Sequence, residues 1–184
     1  HPVAWTPAAG EQTISNVWGE IVEKPLYGGT ITLAITVDYQ HTDPWFNWNV
    51  TYSASPVLEK LGIGDWSIPR SKYAFDSGFV PIDVIKPHIA ESWEMPDPNT
   101  IIFRIRKGIH WQNKPPVNGR ELDADDVAMS LQRAMGTGRF KAIGPSPYAH
   151  MVKSAMLESA EATDKWTVVV KVRQPSLLSL SAIY

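Results

Sequence analysis

Apolar and polar residues alternate with period two over Thr30-Ile31-Thr32-Leu33-Ala34-Ile35-Thr36-Val37. Ile31, Leu33, Ile35 and Val37 fall on one side and the threonines on the other, which predicts a strand. The same alternation returns over Thr100–Arg106, where Ile101, Phe103 and Ile105 share a face opposite Ile102, Arg104 and Arg106. Glu91–Met95 precedes it, and Pro96-Asp97-Pro98-Asn99 between them predicts a turn, so 91–106 reads as a β-hairpin. Trp166–Val172 alternates in the same way and predicts a further strand.

A helical period appears elsewhere. Val127, Leu131, Ala134 and Met135 recur at i, i+4, i+7 and i+8. Asp123 stands where an N-cap belongs, Asp125 and Asp126 put negative charge in the first turn, and Gly136 and Gly138 stop the helix. Ile14, Val17, Trp18 and Ile21 fit a short amphipathic helical turn that Pro25 ends. Ser55-Pro56 followed by Gly62 predicts another short helix, with Ser55 as cap and Gly62 as stop. A helix from about Tyr148 to Leu157, with Pro147 near its start, is also expected. Residues 63–88 hold many turn formers and predict a surface path with short strands.

The pattern then repeats. Glu158–Arg173 aligns with Glu91–Arg106 without a gap at an offset of 67 residues, and Glu, Ser, Glu, Asp, Thr and Arg recur at matching places. Duplication and convergence both explain this, because hairpins share turn and strand preferences. Either way, hairpins 91–106 and 158–173 enclose a helical segment and are expected to share a sheet. The fold class is therefore mixed α/β (α+β). Leu177–Tyr184 is apolar and periodic with no stop signal, which predicts a piece of a longer protein.

Composition narrows the function. The 184 residues carry a formal net charge of −2, with charges scattered, so there is no basic footprint for nucleic acid. No apolar run approaches the roughly 18 residues of a membrane span. Cysteine is absent, which removes disulfides, thiolate catalysis and cysteine-ligated metals. The start, His1-Pro2-Val3-Ala4-Trp5, has no basic-then-apolar leader pattern. Eight tryptophans are many for this length. They read first as large core residues and second as an aromatic binding surface.

Catalytic chemistry finds little support. His1, His41, His88, His110 and His150 lack the i, i+3 or i, i+4 spacing of a helical metal site. Glu91 and Glu94 could suggest the carboxylate pair of a glycoside hydrolase. Three apart on a strand they point to opposite faces, so a solvated or salt-bridged edge is the simpler reading. Asp123, Asp125 and Asp126 are explained by capping without a cation. No Gly-x-Ser-x-Gly elbow or phosphate loop is present. No metal or cofactor is expected.

Binding fits better. The loop Asp38–Asn49 follows a strand and carries Tyr39, His41, Trp45, Phe46 and Trp48 together with Gln40, Asn47 and Asn49. Rings supply broad apolar contact, and amides hydrogen-bond a peptide backbone or a sugar. The alternative is that some of these rings simply pack the core.

In chain order, Tyr27-Gly28-Gly29-Thr30-Ile31-Thr32, Thr42-Asp43-Pro44 and Ile89-Ala90-Glu91-Ser92-Trp93-Glu94 form a recognisable series. It continues through Phe103-Arg104-Ile105-Arg106-Lys107-Gly108-Ile109-His110-Trp111, Asp123-Ala124-Asp125-Asp126-Val127-Ala128-Met129-Ser130, Ser146-Pro147-Tyr148-Ala149 and Asp164-Lys165-Trp166-Thr167-Val168-Val169-Val170. Over about residues 25–180 this resembles the extracellular solute-binding proteins of family 5. The loop Gln112–Leu122 is longer than the usual short turn there, and Asp123 stands where threonine or serine is common.

The resemblance implies part of a periplasmic-binding-protein-like fold and a substrate-binding component of an ABC importer, with no catalysis. It divides the chain into a leader segment 1–24, the first strand of one lobe at 25–44, and a small inserted domain at 45–184. The distal lobe would lie outside this chain. The implied partners are a di- or oligopeptide, or a similar solute, and the membrane permease subunits. The implied location is the periplasm or the outer face of the cell membrane, with a lipid anchor on the precursor as one arrangement. By position, Trp45 to Val50 would run beside the ligand and Tyr148 would reach towards it. Oligosaccharides or metal chelates are alternative ligands within the family, and a glycoside hydrolase fragment using Glu91 or Glu94 is a remote alternative outside it.

Overall fold

The computed structural model describes residues 13–15, 19–24, 30, 32, 58–75, 80–147 and 157–173. The expected strand at 30–37 falls almost wholly outside these residues, as do the loop 38–49 and the expected helical stretch from Tyr148 up to Leu157. Leu157 itself begins a strand.

The centre of the described structure is a four-stranded antiparallel sheet. β5 (Ala90–Asp97) and β6 (Thr100–Ile105) form the first hairpin. β7 (Leu157–Asp164) and β8 (Thr167–Val172) form the second. Their order is β5-β6-β8-β7, so the second arms pair at the middle and the first arms lie outside. Both hairpins turn on an aspartate. Asp97 accepts from the Asn99 amide at 2.8 Å and the Thr100 hydroxyl at 2.7 Å, and Asp164 accepts from the Trp166 amide at 2.8 Å. These bonds occupy the carboxylates while the chain reverses.

Alternation becomes burial. Ile101, Phe103 and Ile105 of β6 and Val168, Val170 and Val172 of β8 are buried on one face, as the period-two pattern predicts. One helix, α1 (Ala124–Met135), covers that face and packs chiefly over β7. It presents Ala124, Ala128 and Leu131 to the sheet, joined by Leu61, Ile89, Leu122 and Ala160. Burying a side chain such as Leu131 is worth about 2 kcal/mol, and the small alanines let helix and sheet approach closely.

The ends of α1 follow from its sequence. The Asp123 carboxylate accepts from the amides of Asp125 at 3.1 Å and Asp126 at 3.3 Å, while Asp126 accepts from the Asp123 amide at 3.2 Å. This reciprocal box satisfies amides that the first turn leaves without helical partners. Gly136 ends the helix at φ 66°, and a Cβ there would sit 2.1 Å from the Gly144 carbonyl carbon. Both conformation and space therefore demand glycine.

Two expectations are corrected. Around Ile14 and Ile21 the structure has strands β1 (Thr13–Ser15) and β2 (Ile21–Glu23) paired antiparallel, not a helical turn. Residues 16–18 lie outside the described set, and Gly19 at φ 79° belongs to the connection. In the expected helix 55–62, residues 58–60 are irregular and Gly62 opens strand β3 (Gly62–Gly64). The reason is pairing with distant chain. β3 pairs with β4 (Ile85–Pro87), and the carbonyls of Lys60 and Leu61 accept from the amides of Ile89 and of His88 and Ala90, respectively. These nonlocal bonds outweigh a weak local helix preference.

Candidate functional site

Every residue expected to touch ligand, namely Tyr39, His41, Trp45, Phe46, Asn47, Trp48 and Tyr148, lies outside the described residues. The described part shows several polar constellations.

The first of these holds the irregular loop 107–122 against α1. Arg120 donates to Asp126 through Nη1 at 2.7 Å and again through Nη2, and the Trp111 indole donates to the same carboxylate at 3.0 Å. The Arg120 guanidinium also lies over the Trp111 ring, 6.0 Å from its centre. Burial pushes the Asp126 carboxyl up, but Arg120 and Trp111 outweigh burial and hold it below the ordinary carboxylate range. Alongside, Glu121 accepts from the Gly108 amide at 2.8 Å and from Lys165 at 3.3 Å, and the Gly108 bond leads in lowering its pKa. All of these groups fix the loop geometry.

Four of the acidic residues weighed as chemistry, Asp123, Asp125, Asp126 and Glu94, have structural partners. Asp125 pairs with Arg139, and Asp126 with Arg120. Glu94 pairs with Arg104 at 2.8 Å on the outward face of the sheet. Glu91 falls where the pairing of β5 with β6 shifts register. Among the described residues, no group of three His, Asp or Glu side chains could hold a metal ion.

A cluster that the sequence reading missed sits between β3 and β4. Trp66 stacks on Phe75 with ring centres 4.7 Å apart, and Tyr73 meets Phe75 edge-on at 4.8 Å. Arg70 lies 4.9 Å from the centres of both Trp66 and Phe75 and donates to the Ala74 carbonyl at 3.0 Å. Trp66 is 51% exposed. The available signal was an arginine between aromatics in a segment otherwise read as turns.

The comparisons take this geometry further. The family model described as bacterial extracellular solute-binding proteins, family 5 Middle, matches residues 84–184, more than half of the chain. The chain belongs to family 5 of the bacterial extracellular solute-binding proteins. That stretch includes both hairpins, α1 and the loop lock. Among solved structures, the family 5 chain is similar to the ABC transporter-associated periplasmic binding protein DppA from Helicobacter pylori in complex with the peptide STSA. The TM-score is 0.57 and the identity 21%, over 77% of this chain and 27% of that one. OppA of Burkholderia pseudomallei is matched at 20% identity over 78% of this chain and 27% of the other, with a TM-score of 0.47. The chain thus spans about a quarter of the length of these proteins. The DppA likeness supports the fold. No curated protein matches the chain in sequence. No described helix is long and apolar enough to cross a membrane.

Proposed function

We propose that this chain is part of the substrate-binding component of an ABC importer that captures di- or oligopeptides between lobes and hands them to the permease. The observation that supports the reading is the family 5 match over residues 84–184. The described sheet and helix would then be a rigid module beside the ligand, with the loop Asp38–Asn49 and Tyr148 contributing contacts. Capture would proceed by closure of lobes about a hinge. Peptide backbone would be met by amides such as Asn47 and by rings such as Trp45 and Trp48, with water filling side-chain pockets. The protein would work outside the cytoplasm, in the periplasm or anchored at the outer face of the membrane.

Tryptophan fluorescence of a family-length protein tests this. A mixed tripeptide pool should shift the emission saturably, and Trp45→Ala with Trp48→Ala should weaken binding about tenfold, the loss of roughly one good aromatic contact. A response to oligosaccharides alone would reject the peptide assignment and favour a sugar ligand.

A further inference from the structure

The sequence offset of 67 residues acts in three dimensions. It carries Ala90 to Leu157, Asp97 to Asp164 and Thr100–Ile105 to Thr167–Val172, which are the bounds of the two hairpins. At the middle seam, β6 and β8 pair as Thr100 with Lys171, Ile102 with Val169 and Arg104 with Thr167. The same offset turns 100 into 167, 102 into 169 and 104 into 171. The seam therefore maps onto itself, with a local two-fold axis between Ile102 and Val169.

Hydrogen bonds obey this symmetry. The Ile105 amide donates to the Trp166 carbonyl at 2.7 Å, and its counterpart, the Val172 amide, donates to the Asn99 carbonyl at 2.9 Å. Arg104 Nη1 donates to the Thr167 hydroxyl at 2.9 Å, and its counterpart Lys171 Nζ donates to the Thr100 hydroxyl at 2.5 Å. The register shifts also correspond, one following Ala90 and Leu157 and one preceding Asp97 and Asp164. Each hairpin thus offers a threonine and a cation, and receives the same pair from the other.

We infer that the β6–β8 seam is a self-complementary interaction surface whose occupant can be the same seam of a second copy of this chain. An isologous contact needs one patch that matches itself, and this patch does. β6 on a second β6 sets Thr100 against Arg104, Ile101 against Phe103 and Ile102 against its own copy, so each latch is preserved. β8 on a second β8 sets Thr167 against Lys171 and Val169 against Val169. Within one chain, tethering keeps β6 on β8 through its high effective concentration. Chains that fold together at high concentration can exchange hairpins instead.

The absence of cysteine makes the test direct, because an introduced thiol is the sole one. Ile102 and Val169 are a non-hydrogen-bonded pair, because bonded and unbonded pairs alternate and the bonded ones include 105/166 and 99/172, each three positions away. Such pairs lie about 4.5 Å apart at Cα, within disulfide reach. The 184-residue chain carrying Ile102→Cys is unfolded, refolded at rising chain concentration and oxidised with oxidised glutathione. A 102–102 linked dimer is expected, with the dimer-to-monomer ratio rising about tenfold for a tenfold rise in concentration, as mass action requires. Val169→Cys should behave alike and guards against misfolding of the first variant. Glu94→Cys, on the outer strand, provides the background. Linkage of both seam variants at only the Glu94→Cys level would overturn the inference. So would linkage only between Ile102→Cys and Val169→Cys chains when mixed.

Discussion

The two hairpins share a plan and differ in their cover. β6 and β8 have the same sequence of buried and exposed positions, and both turns are tied by an aspartate. The outer strands differ at 90/157, 93/160, 95/162 and 96/163, and the pair 93/160 bears most directly on their cover. β7 has Ala160, wholly buried, with its carbonyl accepting from Gln132 of α1 at 2.8 Å. β5 has Trp93, which packs its own ring against the core. Where a helix closes over the strand the side chain must be small, and where none does a large ring supplies the missing apolar cover. Similar backbone modules thus meet different neighbours, with Trp93 and Ala160 as the clearest exchange.

Exchanging that side chain should break the distinction most strongly. Ala160→Trp forces an indole beneath α1 and should cost about 3 kcal/mol or prevent folding, read as a lowered urea midpoint. Trp93→Ala removes a half-buried ring and should cost about 2 kcal/mol by the same measurement. If Ala160→Trp proves as mild as Trp93→Ala, helix cover does not explain the difference.

The lock that seats α1 gives the next effect. Asp126→Ala leaves Arg120 and Trp111 without their acceptor, and because Arg120 is partly exposed the loss should be about 2 kcal/mol. The Asp126 carboxyl is held below its unfolded value, so its contribution is present above about pH 5 and lost as the pH falls below about 4. Wild type should therefore lose more stability on acidification than Asp126→Asn does. Parallel pH profiles would remove Asp126 from the account.

Equal and smaller effects sharpen the likeness of the hairpins. Thr100→Val and Thr167→Val each remove a cross-hairpin latch together with the hydroxyl's bond to the turn aspartate, and should each cost about 2 kcal/mol. Unequal losses would show that the symmetry is geometric but not energetic. Glu94→Gln, at an exposed ion pair with Arg104, should cost less than about 0.5 kcal/mol.

Much of this fold was legible in the sequence where structure is local. The hairpins announce themselves through alternation and the Pro-Asp-Pro-Asn turn, and α1 through Asp123 and Gly136. Ser55 to Gly62 misleads because cap and stop signals are weak beside the backbone pairing of Lys60 and Leu61 with His88–Ala90. Ile14 to Ile21 misleads because strands of three residues are too short to show alternation. For the site, the aromatic and amide content of Asp38–Asn49 was legible, and those residues lie outside the described set. The offset of 67 residues was visible in the sequence, but the seam that maps onto itself appears only when β6 and β8 pair.

The most direct test of the functional account is native mass spectrometry of a gently purified family-length protein. A co-purified ladder of peptide masses is the predicted result. A single discrete sugar or metal-chelate mass, displaced by no peptide, would contradict the peptide-importer reading.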